Sequence, residues 1–186
     1  MNMAFFMNMP REILLLFVLI LSPALFTNEA KNFAAADYKL VETLCHNSET
    51  PETCLRCVNN AKGANNSDSV GIATIVVNCL NDKANELAVS MKKLGSQTQG
   101  PVKLICQRCA EDYGQHIAKE ELASSKKALV NHKYDDAEFA VNKALSFDLA
   151  CHSDLIQGSK VPTSVFNDMK IYEDLSEAAA RIIEKL

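Results

Sequence analysis

Residues 44–54 read Leu-Cys-His-Asn-Ser-Glu-Thr-Pro-Glu-Thr-Cys, and this stretch decides how the fold begins. Cys45 and Cys54 enclose a run of polar, turn-forming residues. Apolar residues recur at helical spacing before the turn: Tyr38, Val41, Leu44 and Cys45. After it, Thr50 can cap a second helix and Pro51 suits that helix's first position. We therefore predict an α-hairpin over residues 37–60, closed by a Cys45–Cys54 disulfide. Two unlinked buried cysteines are the alternative.

A hairpin of this size buries too little apolar surface to be stable alone, so it needs the crosslink and a larger body to pack against. That body is predicted over residues 67–186. A long helix, capped by Ser67 and ended by Gly95, carries one apolar stripe in steps of three and four: Val70, Ala73, Val77, Leu80, Ala84, Leu87, Met91 and Leu94.

Three further helices are predicted after the first. One opens at Gly100-Pro101 and stops near Asn131, a return helix ends near Cys151, and a last helix reaches Leu186. No segment alternates with a period of two. The predicted fold is all-α: an antiparallel four-helix bundle with the hairpin appended at its N-terminus. If the second and third bundle helices pack antiparallel, Cys151 returns to the level of Cys109, where a disulfide is geometrically reasonable.

The first residues have the pattern of a secretory signal peptide. Arg11 precedes the apolar run 13–21, which is too short to span a bilayer comfortably, and small residues allow cleavage after Ala24 or Ala30. A signal anchor is the alternative. We therefore expect a signal peptide over residues 1–24, at most 1–30, and a secreted product with no membrane contact after cleavage.

Secretion makes disulfides the expected state of cysteine, and all seven cysteines follow the predicted cleavage site. Because seven is odd, at least one thiol stays unpaired or pairs with another chain. The sequence Asn65-Asn66-Ser67 is a glycosylation sequon with Asn65 as its acceptor.

Several function classes are disfavoured. The net charge is −4 and the basic residues are dispersed along the sequence, which argues against a nucleic-acid partner. The pairs Cys54/Cys57 and Cys106/Cys109 have C-x-x-C spacing, but secretion and the long gap between them argue against a zinc site. The four histidines are scattered and no catalytic motif is present. We expect no enzyme activity, no metal and no cofactor.

The chain resembles the plant invertase and pectin methylesterase inhibitors from about Lys39 to Leu186, with the invertase inhibitors as the closer group. The resemblance is carried by the C-x8-C hairpin and by several short motifs: residues 40–45, 92–94, 100–103, Cys109-x3-Tyr113, and 158–160 before Pro162. It implies the bundle-plus-hairpin fold and the bridges Cys45–Cys54 and Cys109–Cys151.

The same resemblance points to a target-binding turn. In the invertase inhibitors a Pro-Lys-Phe element between two bundle helices enters the invertase active site, and the matching residues here are His132, Lys133 and Tyr134. A lysine can pair with the two close carboxyl groups of a retaining glycosidase, and an aromatic ring can fill its sugar pocket. The expected partner is therefore an acid invertase of the cell wall (the apoplast) or, alternatively, of the vacuole.

Other interpretations stay open. The same fold could inhibit pectin methylesterase through a helix face instead of the turn. The spacing Cys45-x8-Cys54-x2-Cys57 also resembles ginkbilobin-type lectin or antifungal domains, which contain a β-sheet, and a storage protein without an enzyme target is a third class.

The remaining cysteines depart from the family's four-cysteine pattern. Cys57–Cys79 could tie the hairpin to the first bundle helix and leave Cys106 free. Because Cys54 and Cys57 lie one helical turn apart, as do Cys106 and Cys109, either member of each pair could form the bridge instead, and Cys106–Cys151 is one such alternative.

Overall fold

A computed structural model describes residues 38–157 and 161–186, without the side chain of Asn65. The predicted signal peptide lies outside these ranges, within which six helices and no strand are present. We number them α1 (38–45), α2 (Pro51–Asn60), α3 (Ser69–Gln97), α4 (the consecutive segments Gly100–Glu111, Asp112–Glu121 and Leu122–Val130), α5 (Tyr134–Ile156) and α6 (Thr163–Ile183).

The first two helices form the hairpin. The disulfide Cys45–Cys54 joins α1 to α2 with 5.5 Å between the Cα atoms, and a second bridge, Cys57–Cys79, ties α2 to α3 at 6.2 Å. Pro51 takes the first helical position, as its fixed φ angle favours. Thr50 precedes it, but the predicted side-chain cap is wrong, because the Thr50 hydroxyl is buried without a hydrogen-bond partner among the described atoms.

The four longer helices form the bundle. Helix α3 packs against α4 and α6, and α5 packs against α4 and α6, around a core of aliphatic residues with two buried tyrosines, Tyr113 and Tyr172. The all-α bundle prediction is confirmed. Since the described residues contain no strand, a β-sheet domain of the ginkbilobin type is excluded for this part of the chain. Within it, no helix is long and apolar enough to cross a bilayer.

The predicted stripe of α3 lies in the core, whereas both predicted ends of this helix are wrong. Asp68, not Ser67, is the N-cap, and its Oδ1 accepts a hydrogen bond from the Gly71 amide at 2.8 Å. At the other end the helix continues to Gln97, because Gly95 is buried inside the last turns against the Cys106 side chain. Helix α5 likewise runs past Cys151 to Ile156.

Helix α4 changes its pitch in the middle. The segment Asp112–Glu121 is π-helical, and at its end the Leu122 amide donates to the Ile117 carbonyl five residues back. The wider turn keeps Tyr113, Ile117 and Leu122 in the core although their spacing is four and then five residues. A regular α-helix would rotate the second half of this stripe away from the core.

Helices α4 and α5 form an antiparallel pair with a disulfide, Cys109–Cys151, near one end and the connecting turn at the other. The two Cα atoms are 5.6 Å apart. Cys106 is buried and is the free cysteine of the described chain. Because Cys54, Cys57 and Cys109 are oxidised in disulfides, the two C-x-x-C pairs do not supply four zinc-binding thiolates.

Gly114 in the π-helical segment offers a stability test. Its φ angle is negative, and a Cβ added there would meet the Ala88 Cβ at an ordinary 3.7 Å. Since glycine costs about 0.5–1 kcal/mol relative to alanine in a helix, Gly114→Ala should raise the free energy of unfolding by about that amount in chemical denaturation. Gly95→Ala is the matched control: its Cβ would lie 3.2 Å from that of Cys106, so it should stabilise less than Gly114→Ala. Equal gains would contradict this packing.

Candidate functional site

The turn between α4 and α5 is held by its own backbone. The Lys133 amide donates to the Ala128 carbonyl at 2.9 Å and the His132 amide to the Leu129 carbonyl at 3.1 Å, which is the pair of bonds of a Schellman motif. In that motif the residue at the His132 position adopts positive φ, and His132 has φ 55°. A position that usually holds glycine therefore carries a histidine, whose imidazole is displayed at the end of the bundle.

The three predicted target-binding side chains are close together at this turn. His132 Nδ1 lies 2.8 Å from the Tyr134 hydroxyl, and the two rings meet edge to face with centroids 6.0 Å apart. Tyr134 is half-buried and packs against the core, whereas Lys133 is exposed. The structure thus presents the lysine to solvent but holds the aromatic ring back against the bundle.

The charge of the turn is not simply positive. Asp135 and Asp136 follow directly in the first turn of α5 and are exposed. Counting Lys133 as +1 and the two aspartates as −2, residues 131–136 carry a net charge of −1 with His132 neutral. A partner that approaches this turn therefore meets an ammonium group next to two carboxylates.

A groove of about 590 Å³ lies beside the turn, between the end of α4 and the start of α5. Its lining includes Lys127, Lys133, Asp136 and Phe139, and the Phe139 side chain is 69% exposed. Sequence reasoning missed this residue. The sequence feature that could have indicated it is that this large aromatic residue does not lie on the apolar stripe of α5, although the next residue, Ala140, is buried.

A carboxylic acid is buried in the middle of the bundle, and it too was missed. Asp148 is fully buried, and its Oδ1 accepts a hydrogen bond from the Tyr113 hydroxyl on α4 at 2.5 Å. The other oxygen, Oδ2, and the nearby Tyr172 hydroxyl on α6 are buried without a described partner. The signal was its position: Asp148 falls on the stripe formed by Val141, Ala144, Cys151 and Leu155.

Burial controls the titration of this cluster. Loss of hydration raises the pKa of Asp148 to about 7, against the lowering effect of the Tyr113 hydrogen bond and with a further rise from the Glu173 carboxylate. Burial, together with the Asp148 charge, also raises the pKa of both tyrosines above the usual value.

The predicted glycosylation site, Asn65, lies in a short 3₁₀ turn, Ala64–Asn66, and its modification stays a prediction.

The comparisons with known proteins agree on one family. The family model for plant invertase/pectin methylesterase inhibitors matches residues 39–182. A crystal structure of a mutant form of a pectin methylesterase inhibitor from Arabidopsis has a TM-score of 0.68 and 20% identity, covering 78% of this chain and 96% of that one. A second structure, of a pectin methylesterase inhibitor from Arabidopsis thaliana, has a TM-score of 0.59, 20% identity and coverages of 78% and 95%. No curated protein sequence matches the chain.

The family model covers most of the chain, the disulfide-linked hairpin and bundle are those expected of the family, and the fold is that of the two solved inhibitors. The chain belongs to the plant invertase/pectin methylesterase inhibitor family.

Proposed function

We propose that the protein is a secreted inhibitor of pectin methylesterase that binds the enzyme with a face of its helical bundle. The observation that carries the proposal is the bundle itself, whose fold extends over nearly the whole length of two solved pectin methylesterase inhibitors. The main interpretation from the sequence, an invertase inhibitor, has less support from these comparisons than the esterase alternative.

The scaffold suits inhibition by rigid docking. Three disulfides fix the hairpin to the bundle and α4 to α5, so little backbone freedom remains to be lost on binding. A protein that loses little freedom keeps more of its contact energy as affinity, which favours an inhibitor that acts without rearrangement.

The side chains near the turn favour a helix face over insertion of the turn. The Tyr134 ring packs against the core, and its hydroxyl is hydrogen-bonded to His132 Nδ1. The ring is therefore not free to fill a sugar pocket. Phe139, in contrast, is exposed on α5 in a groove bordered by charged residues. Buried aromatic anchors surrounded by polar residues dominate the energetics of protein interfaces. We therefore place the centre of the esterase contact at Phe139.

Inhibition of acid invertase is the second candidate. It is favoured by exposed Lys133, which stands on a turn fixed by two backbone hydrogen bonds and could pair with the two catalytic carboxyl groups of a retaining glycosidase. In this candidate the roles of His132, Lys133 and Tyr134 stay as the sequence predicts them.

The two candidates separate in one set of inhibition assays against pectin methylesterase and acid invertase. We expect the unmodified protein to inhibit the esterase, Phe139→Ala to weaken that inhibition by about tenfold or more, and the double change of Lys133 and Tyr134 to alanine to alter it little. Leu104→Ala is the control, because Leu104 is 68% exposed near the other end of α4. If the unmodified protein inhibits invertase but not the esterase, and the double alanine variant of Lys133 and Tyr134 no longer inhibits invertase, the second candidate replaces the proposal.

A further inference from the structure

A second and larger groove runs along the surface between α3 and α4. Its volume is about 870 Å³. It exists because the two helices meet there through small residues: Ala88 and Gly95 on α3, Ala110 and Gly114 on α4. Because these positions have no large side chain, the longer neighbouring side chains form the two sides of the groove.

The charge of this groove differs from that of the whole protein. Its charged lining residues are Lys92, Lys103, Lys119 and Glu111, a local balance of +2 in a chain whose net charge is −4. Lys103 and Lys119 both lie on α4, and the packing of α3 against α4 brings Lys92 of α3 to the same surface.

These lysines have no partner in the described structure. All three are exposed and none forms an ion pair within the described residues, whereas Lys83, Lys143 and Lys170 each bind a carboxylate. An ammonium group that is not neutralised by its own protein is available to an anion, and charge-assisted hydrogen bonds to carboxylates are the strong ones. The groove is therefore complementary to a ligand with several negative charges.

The other lining residues narrow the class of ligand. Asn85, Ser96, Gln107 and Gln115 offer amide and hydroxyl groups, which match the hydroxyls of a sugar, and Val89 is the one large apolar side chain. An amphipathic peptide needs several apolar anchors, and a nucleic-acid base needs an aromatic platform, and the lining provides neither. We infer that the α3–α4 groove binds an acidic oligosaccharide, with Lys92, Lys103 and Lys119 pairing with its carboxylates.

The proposed function suggests the source of such a ligand, and in this respect the inference rests on it. Hydrolysis of the methyl esters of pectin leaves carboxylates on the sugar chain, so the product of the target enzyme has the required chemistry. An inhibitor with this groove is held on polymer whose esters have already been removed. Binding of the oligosaccharide to the inhibitor does not require the enzyme, so it can be measured without it.

Calorimetry on the full secreted chain without any enzyme tests the inference. The probes are a de-esterified oligogalacturonide, the same oligosaccharide fully methyl-esterified, and a poly-glutamate peptide. We expect the de-esterified sugar to bind, with an affinity that falls as salt is added, and the other two to bind at least about tenfold more weakly. Equal binding of the esterified sugar or of the peptide would overturn the assignment, as would absence of binding.

Matched variants locate the site. Changing Lys92, Lys103 and Lys119 together to glutamine should weaken binding by about tenfold or more. Changing Lys39, Lys62 and Lys185 to glutamine removes the same charge from exposed positions outside the groove and should have less than about a twofold effect. Equal losses of affinity in the two triple variants would show non-specific electrostatic attraction and would overturn the assignment of the site to this groove. Esterase inhibition is measured separately, so a failure of the proposed function remains distinguishable.

Discussion

Replacing Asp148 with asparagine should leave the free energy of unfolding nearly unchanged at pH 4 and raise it by about 4 kcal/mol at pH 8. The carboxyl group is fully buried between α4, α5 and α6, where only one of its oxygens has a hydrogen-bond donor. Asparagine keeps the carbonyl oxygen that accepts from Tyr113 and removes the group that must lose a proton. Chemical denaturation at a series of pH values measures the difference.

The sign follows from the two pKa values of Asp148. The pKa is about 7 in the folded protein and near 3.8 in the unfolded chain. Between these values the folded state holds a proton that the unfolded state has released, so stability falls as pH rises from about 4 to about 7, with a slope near 1.4 kcal/mol per pH unit. Above pH 7 this loss is complete. The contribution of Asp148 to stability is therefore largest under acidic conditions.

Other charged groups lie near Asp148, and the comparison with the variant separates their contribution from that of Asp148. The Glu173 carboxylate, which contributes to the shift, pairs with His152 and Lys170. Because both proteins retain these groups, only the difference between wild type and Asp148→Asn reports Asp148. Asp82→Asn makes the same change at an exposed carboxyl and is the control for the substitution itself. A difference for Asp148→Asn that does not vary with pH would contradict a raised pKa of Asp148 in the folded protein.

The sequence predicts the core of this protein well where one helix face alone is buried. The stripe of α3 and that of α6, from Val165 to Ile182, are read directly from steps of three and four, because a regular helix repeats every 3.6 residues. Helix ends are predicted poorly, since Ser67 and Asp68 are both good caps and only the local backbone path selects Asp68.

The candidate sites depend on packing that is absent from any local pattern. His132 matches a family position, but its positive φ and its bond to Tyr134 follow from the end of α4. Phe139 becomes recognisable only when its exposure is known, and the lysine groove only when the packing of α3 against α4 is known. Asp148 is the exception: a carboxylate on an apolar stripe is visible in the sequence and indicates a buried acid.

Removing the Cys109–Cys151 bridge by changing both residues to alanine should lower the free energy of unfolding by about 4 kcal/mol. The bridge closes a loop with a sequence separation of 42, and in the chain-entropy model a loop of this length restricts the unfolded chain by about that much. It also fixes the α4–α5 pair at the end opposite to the turn. Because both cysteines are buried, the loss of their side-chain packing adds to the effect.

The double variant is needed because Cys106 lies one helical turn from Cys109. If Cys109 alone is replaced, Cys106 could pair with Cys151 and conceal the loss. Cys106→Ala is the matched control: it removes a buried sulfur that belongs to no bridge, so it should cost much less, on the order of 1 kcal/mol. A loss in Cys106→Ala as large as that in the double variant would assign the bridge to Cys106 instead, because both changes would then remove a Cys106–Cys151 bridge, and peptide mapping of the non-reduced protein would find Cys106 joined to Cys151.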